Sequence, residues 1–377
     1  MTTAATARAG YLDELRDLVM LHARAQGLPP APCRTLLARI RTPDGDADGP
    51  GSWVGEWCAA GDRLAARGRL LDACRHYALG RFPYVDGPGR QRAQDACTAA
   101  FDRWRRGTGG RRIHVERLTV THPAGTQTAW AAGLGDPARP LLLITGGIVS
   151  VKEQWAPLLR LAPALGMAVV AAELPGVGEH TARYGPDAHL AFTALLDALT
   201  GRTDTTRTHA LALSFSGHLA LRCALDDPRI RSVATVGAPL GPFFRDPAWR
   251  RHVPQTTRRT LDHLTDGTTG TTDRVLPELA LTDAQLRSLD VDVAYVASLR
   301  DEIVPLTEVG LLRRTVARSR ALVLDDVHGA PAHLAVVRPY LLAHAVRAAR
   351  AHPARRALFG GLAATARARH ALPGGAV

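Results

Sequence analysis

The stretch HALALSFSGHLALR, residues 209–222, decides the fold of this chain. Residues 210–213 are apolar, as in a buried strand, and the small residues Ser214, Ser216 and Gly217 follow them. Next, HLALRCAL carries apolar residues at the three- and four-residue spacing of a helix. A strand, a sharp turn and a helix in this order push a serine outward at the tip of a tight elbow. The stretch therefore marks Ser214 as a candidate nucleophile.

The elbow departs from the usual G-x-S-x-G pattern, because Ala212 and Ser216 stand where the two glycines are expected. Glycine is favoured there because the elbow presses the backbone against neighbouring elements. Alanine and serine are the next smallest residues, so the departure weakens the motif without breaking it. The alternative interpretation is that Ser214 or Ser216 merely caps a helix.

The sequence after Arg112 predicts a mixed, mostly parallel sheet of about eight strands. IHVERLTV and TQTAWAAGL, joined by THPAG, indicate an antiparallel hairpin. Apolar runs with helical stretches between most of them follow: PLLLITGG, MAVVAAELPG, HALALSFSG, SVATVGAP, VDVAYVASLRD and ALVLDDVHG. Such alternation is typical of an α/β fold whose sheet is buried on both faces.

Two residues that follow strands can complete a catalytic set with Ser214. Asp301 follows VAYVASLR, and His328 follows ALVLDDV. In parallel sheets ligands bind beyond the carboxyl ends of the strands, so these side chains are expected on one rim. A serine hydroxyl needs a base and a carboxylate that orients the base, and the order Ser, Asp, His is that of the α/β-hydrolase fold. The sequence thus predicts Ser214 as nucleophile, His328 as base and Asp301 as its partner.

Other residues compete for these roles. The chain has 15 histidines, but only His328 follows the last strand in the required order. His218, four residues after Ser214, is expected to pack or face away. Three acidic residues compete with Asp301: Glu302, Asp325 and Asp326.

A developing oxyanion needs backbone N–H groups. One is expected from Phe215, at the start of the helix after the elbow, where the helix dipole favours negative charge. The other is expected from Ile148 in TGGIVS, with Gly147 letting the backbone approach. The alternative for this glycine pair is a plain turn; no G-K-[ST] follows that would make a phosphate loop.

The length of 377 residues and the 46% hydrophobic content allow one large domain and a smaller one. Residues 11–107 carry helical periodicity, so we predict a helical domain over 1–110 and a catalytic domain over 111–350. Residues 239–290 are expected to be an inserted, lid-like segment, and 351–377 a basic, flexible tail.

The net charge of +12 is interpreted as composition bias rather than a binding surface. Lys152 is the only lysine among 47 basic residues, and residues 338–377 hold seven arginines and no acid. We therefore expect neither nucleic acid nor membrane as a partner.

Five cysteines without C-x-x-C spacing suggest reduced thiols in the cytoplasm. The N-terminal stretch MTTAATARAGYLDELRDL lacks the apolar core of a signal peptide, so none is expected. No apolar run approaches ~20 residues, so no transmembrane helix is expected. No metal and no cofactor are expected, because H-E-x-x-H, cysteine clusters and nucleotide loops are missing from the sequence.

Six motifs taken in order carry a family resemblance: ITGGIVSVKEQW, ELPGVGEH, ALSFSGHLA, GAPLGPFF, LRDEIVP and DVHGA. They resemble the α/β hydrolases grouped with the fermentation–respiration switch protein, the dihydroxypseudooxynicotine hydrolases and the fungal hydrolases that shorten polyketides. The helical segment AAGDRLAARGRLLDACRHYALGRFPY resembles the N-terminal domain of that group, so the resemblance covers nearly the whole chain. It implies the same triad and a helical cap over the active site.

The resemblance implies a serine hydrolase that cleaves an ester, a thioester or a β-diketone-type C–C bond. The expected substrate is a medium-sized acyl or polyketide-like small molecule of specialised metabolism, and the expected assembly is a homodimer. Trp155 and Pro175 are candidate substrate contacts, and Asp246 is the nearest candidate for an extra acidic residue that some relatives use. Two alternatives stay open: an acyltransferase or cyclase with the same acyl-enzyme, and a non-catalytic binding protein with a hydrolase fold.

Overall fold

The computed structural model of the chain describes residues 3–44, 46–47, 49–107, 111–265, 267 and 269–371. Within them, eight strands form one sheet in the order β1-β2-β4-β3-β5-β6-β7-β8. The strands are β1 Glu116–His122, β2 Gly125–Ala132, β3 Pro140–Thr145, β4 Ala168–Ala172, β5 Asp204–Ala212, β6 Ile230–Val236, β7 Asp292–Ser298 and β8 Ser319–Leu324.

The pairing of the strands confirms the predicted mixed sheet. Strands β1 and β2 form the antiparallel hairpin, and β2 also pairs antiparallel with β4. From β4 through β3, β5, β6 and β7 to β8, all neighbours are parallel. The central strands are buried almost throughout, as continuous apolar runs require when helices cover both faces of a sheet.

Helices precede the sheet and alternate with its strands. They are α1 Thr3–Ala25, α2 Pro30–Leu37, α3 Trp53–Ala66, α4 Leu70–Arg81, α5 Pro88–Arg106, α6 Lys152–Trp155, α7 Ala162–Leu165, α8 Leu190–Leu199, α9 Phe215–Asp226, α10 Pro242–Arg245, α11 Pro247–His252, α12 Gln255–Thr265, α13 Thr269–Glu278, α14 Asp283–Ser288, α15 Thr307–Thr315, α16 Leu334–Ala348 and α17 Pro353–Ala371. Short 3₁₀ turns cover Ala156–Leu161 and Pro331–His333.

The N-terminal helices contribute to two hydrophobic cores. Helices α4 and α5 pack into the main core, where Phe101 contacts Trp130 of β2. Helices α1, α2 and α3 surround a second core that includes Trp53 and Trp57. Helices α1–α5 occupy the predicted segment 1–110, whose last residues, 108–110, lie outside the described part of the chain.

The C-terminal segment differs from the flexible tail expected over 351–377. Pro353–Ala371 is a helix, and it packs against α16. Phe359 and Ala363, one helical turn apart, are buried. This spacing gives the arginine-rich helix an apolar stripe that packs on the protein. The count of charged residues, on which the expected flexible tail was based, does not show such a stripe. Residues 372–377 lie outside the described part of the chain.

The segment predicted as an insertion, 239–290, lies between β6 and β7 and consists mostly of α10–α14. Its helices are short, and α12 is the longest at 11 residues. Among the described residues, no helix has both the length and the apolar character needed to cross a bilayer.

Candidate active site

Ser214 lies at the elbow between β5 and α9. Its backbone has φ 55° and ψ −129°, a conformation that costs a non-glycine residue about 1–3 kcal/mol and is held only where the surroundings enforce it. The Ser214 N–H donates to the carbonyl of Val236 at 2.9 Å, and the Gly217 N–H donates back to the Ser214 carbonyl at 2.8 Å. These bonds fix the strained turn and project the hydroxyl away from the sheet.

The structure brings Ser214, His328 and Asp301 together. Ser214 Oγ lies 2.9 Å from His328 Nε2. On the other side of the ring, His328 Nδ1 lies 2.9 Å from both carboxylate oxygens of Asp301. The three side chains therefore form a continuous hydrogen-bonded chain, although the residues span 114 positions in the sequence.

Backbone groups fix the carboxylate and the imidazole. Asp301 Oδ1 accepts the N–H groups of Ile303 at 2.9 Å and Val304 at 2.7 Å. The backbone N–H of His328 donates to Glu302 Oε2 at 3.0 Å. Glu302 thus supports the loop that carries His328 rather than contacting its ring.

The remaining two acidic residues that compete with Asp301 have structural contacts. Asp326 accepts hydrogen bonds from the N–H groups of Val327 and Ala332, and its carboxylate lies 2.7 Å from His333 Nδ1. Asp325 pairs with Arg300 on the surface. Neither is placed to orient the His328 ring.

The electrostatic surroundings of His328 favour its protonated form. Burial alone lowers the pKa of the imidazole, but the negative charges of Asp301 and Glu302 outweigh burial, so the pKa lies above its ordinary value. The ring is therefore a better proton acceptor than a free histidine.

Two glycines are required by close approach to these side chains. A Cβ on Gly147 would lie 3.1 Å from the Cβ of Ser214. Gly237 has φ +59°, and a Cβ there would lie 2.7 Å from His328 Cε1. Side chains at these positions would displace the nucleophile or the base.

The predicted oxyanion donors lie beside Ser214. Phe215 is the first residue of α9, so its N–H has no acceptor within the helix. Ile148 and Gly147 line the same cavity as Ser214. Their assignment to the oxyanion stays a prediction.

Two residues that sequence reasoning missed hold the loop over residues 146–150. The Ser216 hydroxyl donates to the carbonyl of Gly146 at 2.5 Å. Arg81, buried at the end of α4, donates to the carbonyl of Val149 at 2.7 Å. Ser216 therefore uses the elbow position normally taken by glycine to tie the elbow to this loop, and the N-terminal helices support the loop from the other side.

The chain's only lysine lies behind the loop. The Lys152 side chain is fully buried, and its Nζ lies within 3.3 Å of the carboxylates of Glu153, Glu173 and Glu179. Burial lowers the pKa of the ammonium, but these three charges outweigh burial and raise the pKa above its ordinary value. Trp130 Nε1 donates to Glu153 at 2.8 Å, so the network also contacts the sheet.

A cavity of about 230 Å³ opens at Ser214 and His328. Its wall is mostly apolar and includes residues of α1, α6, the 146–150 loop, the loop after β7, the start of α12 and α16. Among the lining residues are Leu18, His22, Phe82, Trp155, Thr256, Glu302, Leu334 and Arg338. The N-terminal helix α1 therefore covers the site, and the predicted contact residue Trp155 lies in the cavity wall.

The other two candidates, Pro175 and Asp246, are not among the residues that line this cavity. Pro175 is buried in the loop that folds around the Glu173 carboxylate, and it does not line the cavity. Asp246 is exposed, and its carboxylate accepts the Trp249 N–H at 2.9 Å as the N-cap of α11. An aspartate just before a proline that begins a helix is typical of such a cap, so this sequence pattern predicts the N-cap role of Asp246.

His218 packs away from the nucleophile, as its helical position suggested. It is buried, and its Nε2 lies 2.7 Å from the carbonyl of Leu279. Among the described residues, no group of three or more histidine, cysteine or acidic side chains is arranged to hold a metal ion.

The sheet order and the elbow, together with the solved structures that resemble the chain, define an α/β-hydrolase enzyme. Residues 52–277 match the model of the esterase FrsA-like family. The chain belongs to this family.

Solved structures agree with this assignment. The chain is 47% identical to AbyA5 in its wild-type form, over 94% of this chain and 99% of AbyA5, with a TM-score of 0.88. A second AbyA5 structure is 46% identical over 87% of this chain and 97% of that one, with a TM-score of 0.82. A 2,6-dihydroxy-pseudo-oxynicotine hydrolase shares the fold at 18% identity, over 92% and 96% of the chains, with a TM-score of 0.64. A comparison with curated proteins finds no match.

Proposed function

We propose that this enzyme is a serine hydrolase in which Ser214, His328 and Asp301 are the catalytic triad. The observation that carries the proposal is the 2.9 Å contact between Ser214 Oγ and His328 Nε2, continued to Asp301 on the far side of the ring. A hydroxyl becomes a useful nucleophile at neutral pH when a positioned base takes its proton.

In the proposed reaction, Ser214 Oγ bonds to a carbonyl carbon while its proton passes to His328 Nε2. Asp301 holds the ring through Nδ1–H and stabilises the imidazolium. The N–H groups of Phe215 and Ile148 receive the oxyanion. His328 then gives the proton to the leaving group as its bond to the carbonyl carbon breaks. In the second half, a water molecule gives a proton to His328 Nε2 as its oxygen bonds to the acyl carbon; the bond from that carbon to Ser214 Oγ breaks, and His328 returns the proton to Oγ.

The proposed substrate is a medium-sized acyl or polyketide-like molecule with an ester, thioester or β-diketone C–C bond. The mostly apolar cavity wall and its volume of about 230 Å³ support a compact, largely apolar ligand. Typical ligand pockets run from roughly 300 to 1,000 Å³, so a large rigid substrate is disfavoured. In the β-diketone case the leaving group is an enolate carbon, which His328 protonates.

Labelling with an alkyl fluorophosphonate and mass spectrometric mapping of the adduct test the triad. We expect one adduct on Ser214, no adduct on Ser214→Ala, and a loss of at least roughly 10³-fold in labelling rate for His328→Ala. Ser319→Ala is the matched control, because Ser319 Oγ donates to the carbonyl of Val316, remote from the triad. A folded wild-type protein that does not label would contradict the proposal.

Panels of esters, thioesters and β-diketones then define the bond that is cleaved. Product analysis in the presence of added alcohols or amines separates hydrolysis from acyl transfer, because both use the same acyl-enzyme.

A further inference from the structure

His22 is a polar side chain in the cavity wall whose ring has no hydrogen-bond partner among the described residues. It lies on α1, and its side chain is half-buried in the wall of the cavity that holds Ser214 and His328. One side of the ring packs on Phe82, with centroids 5.0 Å apart. Its ring makes no hydrogen bond to any residue that the structure describes.

Several other polar side chains of the wall are engaged within the protein. Glu302 accepts the backbone N–H of His328. The Thr256 hydroxyl donates to Glu14, and Arg338 donates to the carbonyl of Ala25. These groups have internal hydrogen-bond partners that a ligand would have to replace, whereas the ring of His22 hydrogen-bonds to none of the residues that the structure covers.

The imidazole of His22 is neutral at physiological pH. Burial, together with the neighbouring His328 and Arg81, lowers its pKa to about 4. A neutral ring offers one N–H donor and one nitrogen acceptor. Such groups in an apolar wall favour a ligand that supplies a hydrogen bond over one that leaves them unpaired.

We infer that His22 is a specificity residue that hydrogen-bonds a neutral oxygen of the substrate, a keto or hydroxyl group separate from the carbonyl that Ser214 attacks. This inference rests on the proposed function, and it narrows the substrate to an oxygenated acyl compound. An alkyl chain of equal length fits the same cavity but leaves the ring of His22 without a partner.

Binding to Ser214→Ala protein tests the inference without turnover. The matched ligands are nonane-2,4-dione and 2-nonanone, which differ by one keto oxygen, and calorimetry gives their Kd values. We expect the dione to bind roughly three- to tenfold more tightly, the worth of one neutral hydrogen bond. In His22→Phe, made in the same background, this preference disappears while the Kd of the monoketone changes less than twofold. His22→Gln, which keeps a donor and an acceptor, recovers part of the preference.

A control variant and a second measurement distinguish an effect on ligand preference from an effect on the catalytic triad. His252→Phe changes an exposed histidine of α11 outside the cavity wall and is expected to keep the preference. In the Ser214-containing protein, His252→Phe is expected to label with fluorophosphonate at nearly the wild-type rate. Equal Kd values for the two ketones, or a preference that survives in His22→Phe, would each overturn the inference. Absence of Ser214 labelling in the wild type would instead contradict the proposed function.

Discussion

The charge on His328 depends on two carboxylates that differ in their contacts. Asp301 contacts the ring itself, whereas Glu302 contacts only the backbone N–H of His328. Both raise the pKa of the imidazole. The ring must be neutral to accept the proton of Ser214, so activity falls as pH drops through this raised pKa.

Replacing Glu302 with glutamine therefore shifts the pH dependence in a defined direction. The amide oxygen of Glu302→Gln still accepts the His328 N–H, but the negative charge is lost. We expect the pKa of His328 to fall and the acidic limb of the pH–rate profile to move to lower pH. The measurement is the rate of fluorophosphonate labelling between pH 5 and 9. A limb that stays in place or moves upward would show that Glu302 does not set the charge of His328.

At the scale of elements, the triad positions could be predicted because they depend on strand ends. Apolar runs locate the ends of β5, β7 and β8, and the parallel sheet brings those ends to one rim. The course of the loops beyond the strands could not be predicted in the same way. Pro175 follows β4, yet its loop folds around Glu173 instead of lining the cavity.

The bond between Ser216 and Gly146 couples two elements, the elbow and the 146–150 loop. In Ser216→Ala the buried carbonyl of Gly146 loses this donor, so we expect a loss of about 1–3 kcal/mol in the free energy of unfolding. We also expect labelling of Ser214 to slow by roughly tenfold, because the loop carries a predicted oxyanion donor. Urea denaturation and labelling kinetics measure the two effects.

Ser319→Ala serves as the matched control for Ser216→Ala. It removes a hydroxyl at the start of β8 that also donates to a backbone carbonyl, that of Val316. It is expected to lower stability without slowing labelling. Equal labelling rates in the two variants would mean that Ser216 supports only the fold.

At the scale of the whole molecule, one carboxylate of the N-terminal helices caps a helix of the inserted segment. Glu14 of α1 accepts the N–H groups of Gln255 at 2.9 Å and Thr256 at 2.5 Å, and also the Thr256 hydroxyl. A carboxylate at this place satisfies free donors and complements the dipole of α12. The sequence shows helical periodicity in α1, but it does not show which helix end α1 contacts, and for the same reason it does not place His22 in the cavity.

Glu14→Ala is expected to lower the free energy of unfolding by about 0.5–2 kcal/mol, the usual cost of losing an N-cap. Hydrogen exchange followed by mass spectrometry should become faster in α1 and at the start of α12, with the central strands unchanged. Asp13→Ala is the control, because Asp13 pairs with Arg16 on the surface and its loss is expected to cost less than about 1 kcal/mol. Unchanged exchange in α1 would contradict this role of Glu14.

The burial of Lys152 determines how the folded protein reacts with amine-directed reagents. It is the only lysine of 377 residues, and its side chain is closed off from solvent by three carboxylates and the sheet. Acylating dyes, amine-directed cross-linkers and resin couplings therefore find no lysine on the native surface. A lysine-specific protease has a single cleavage site, and that site becomes accessible only when the fold opens. Modification at Lys152 would thus report unfolding directly, against a background from the N-terminal amine alone.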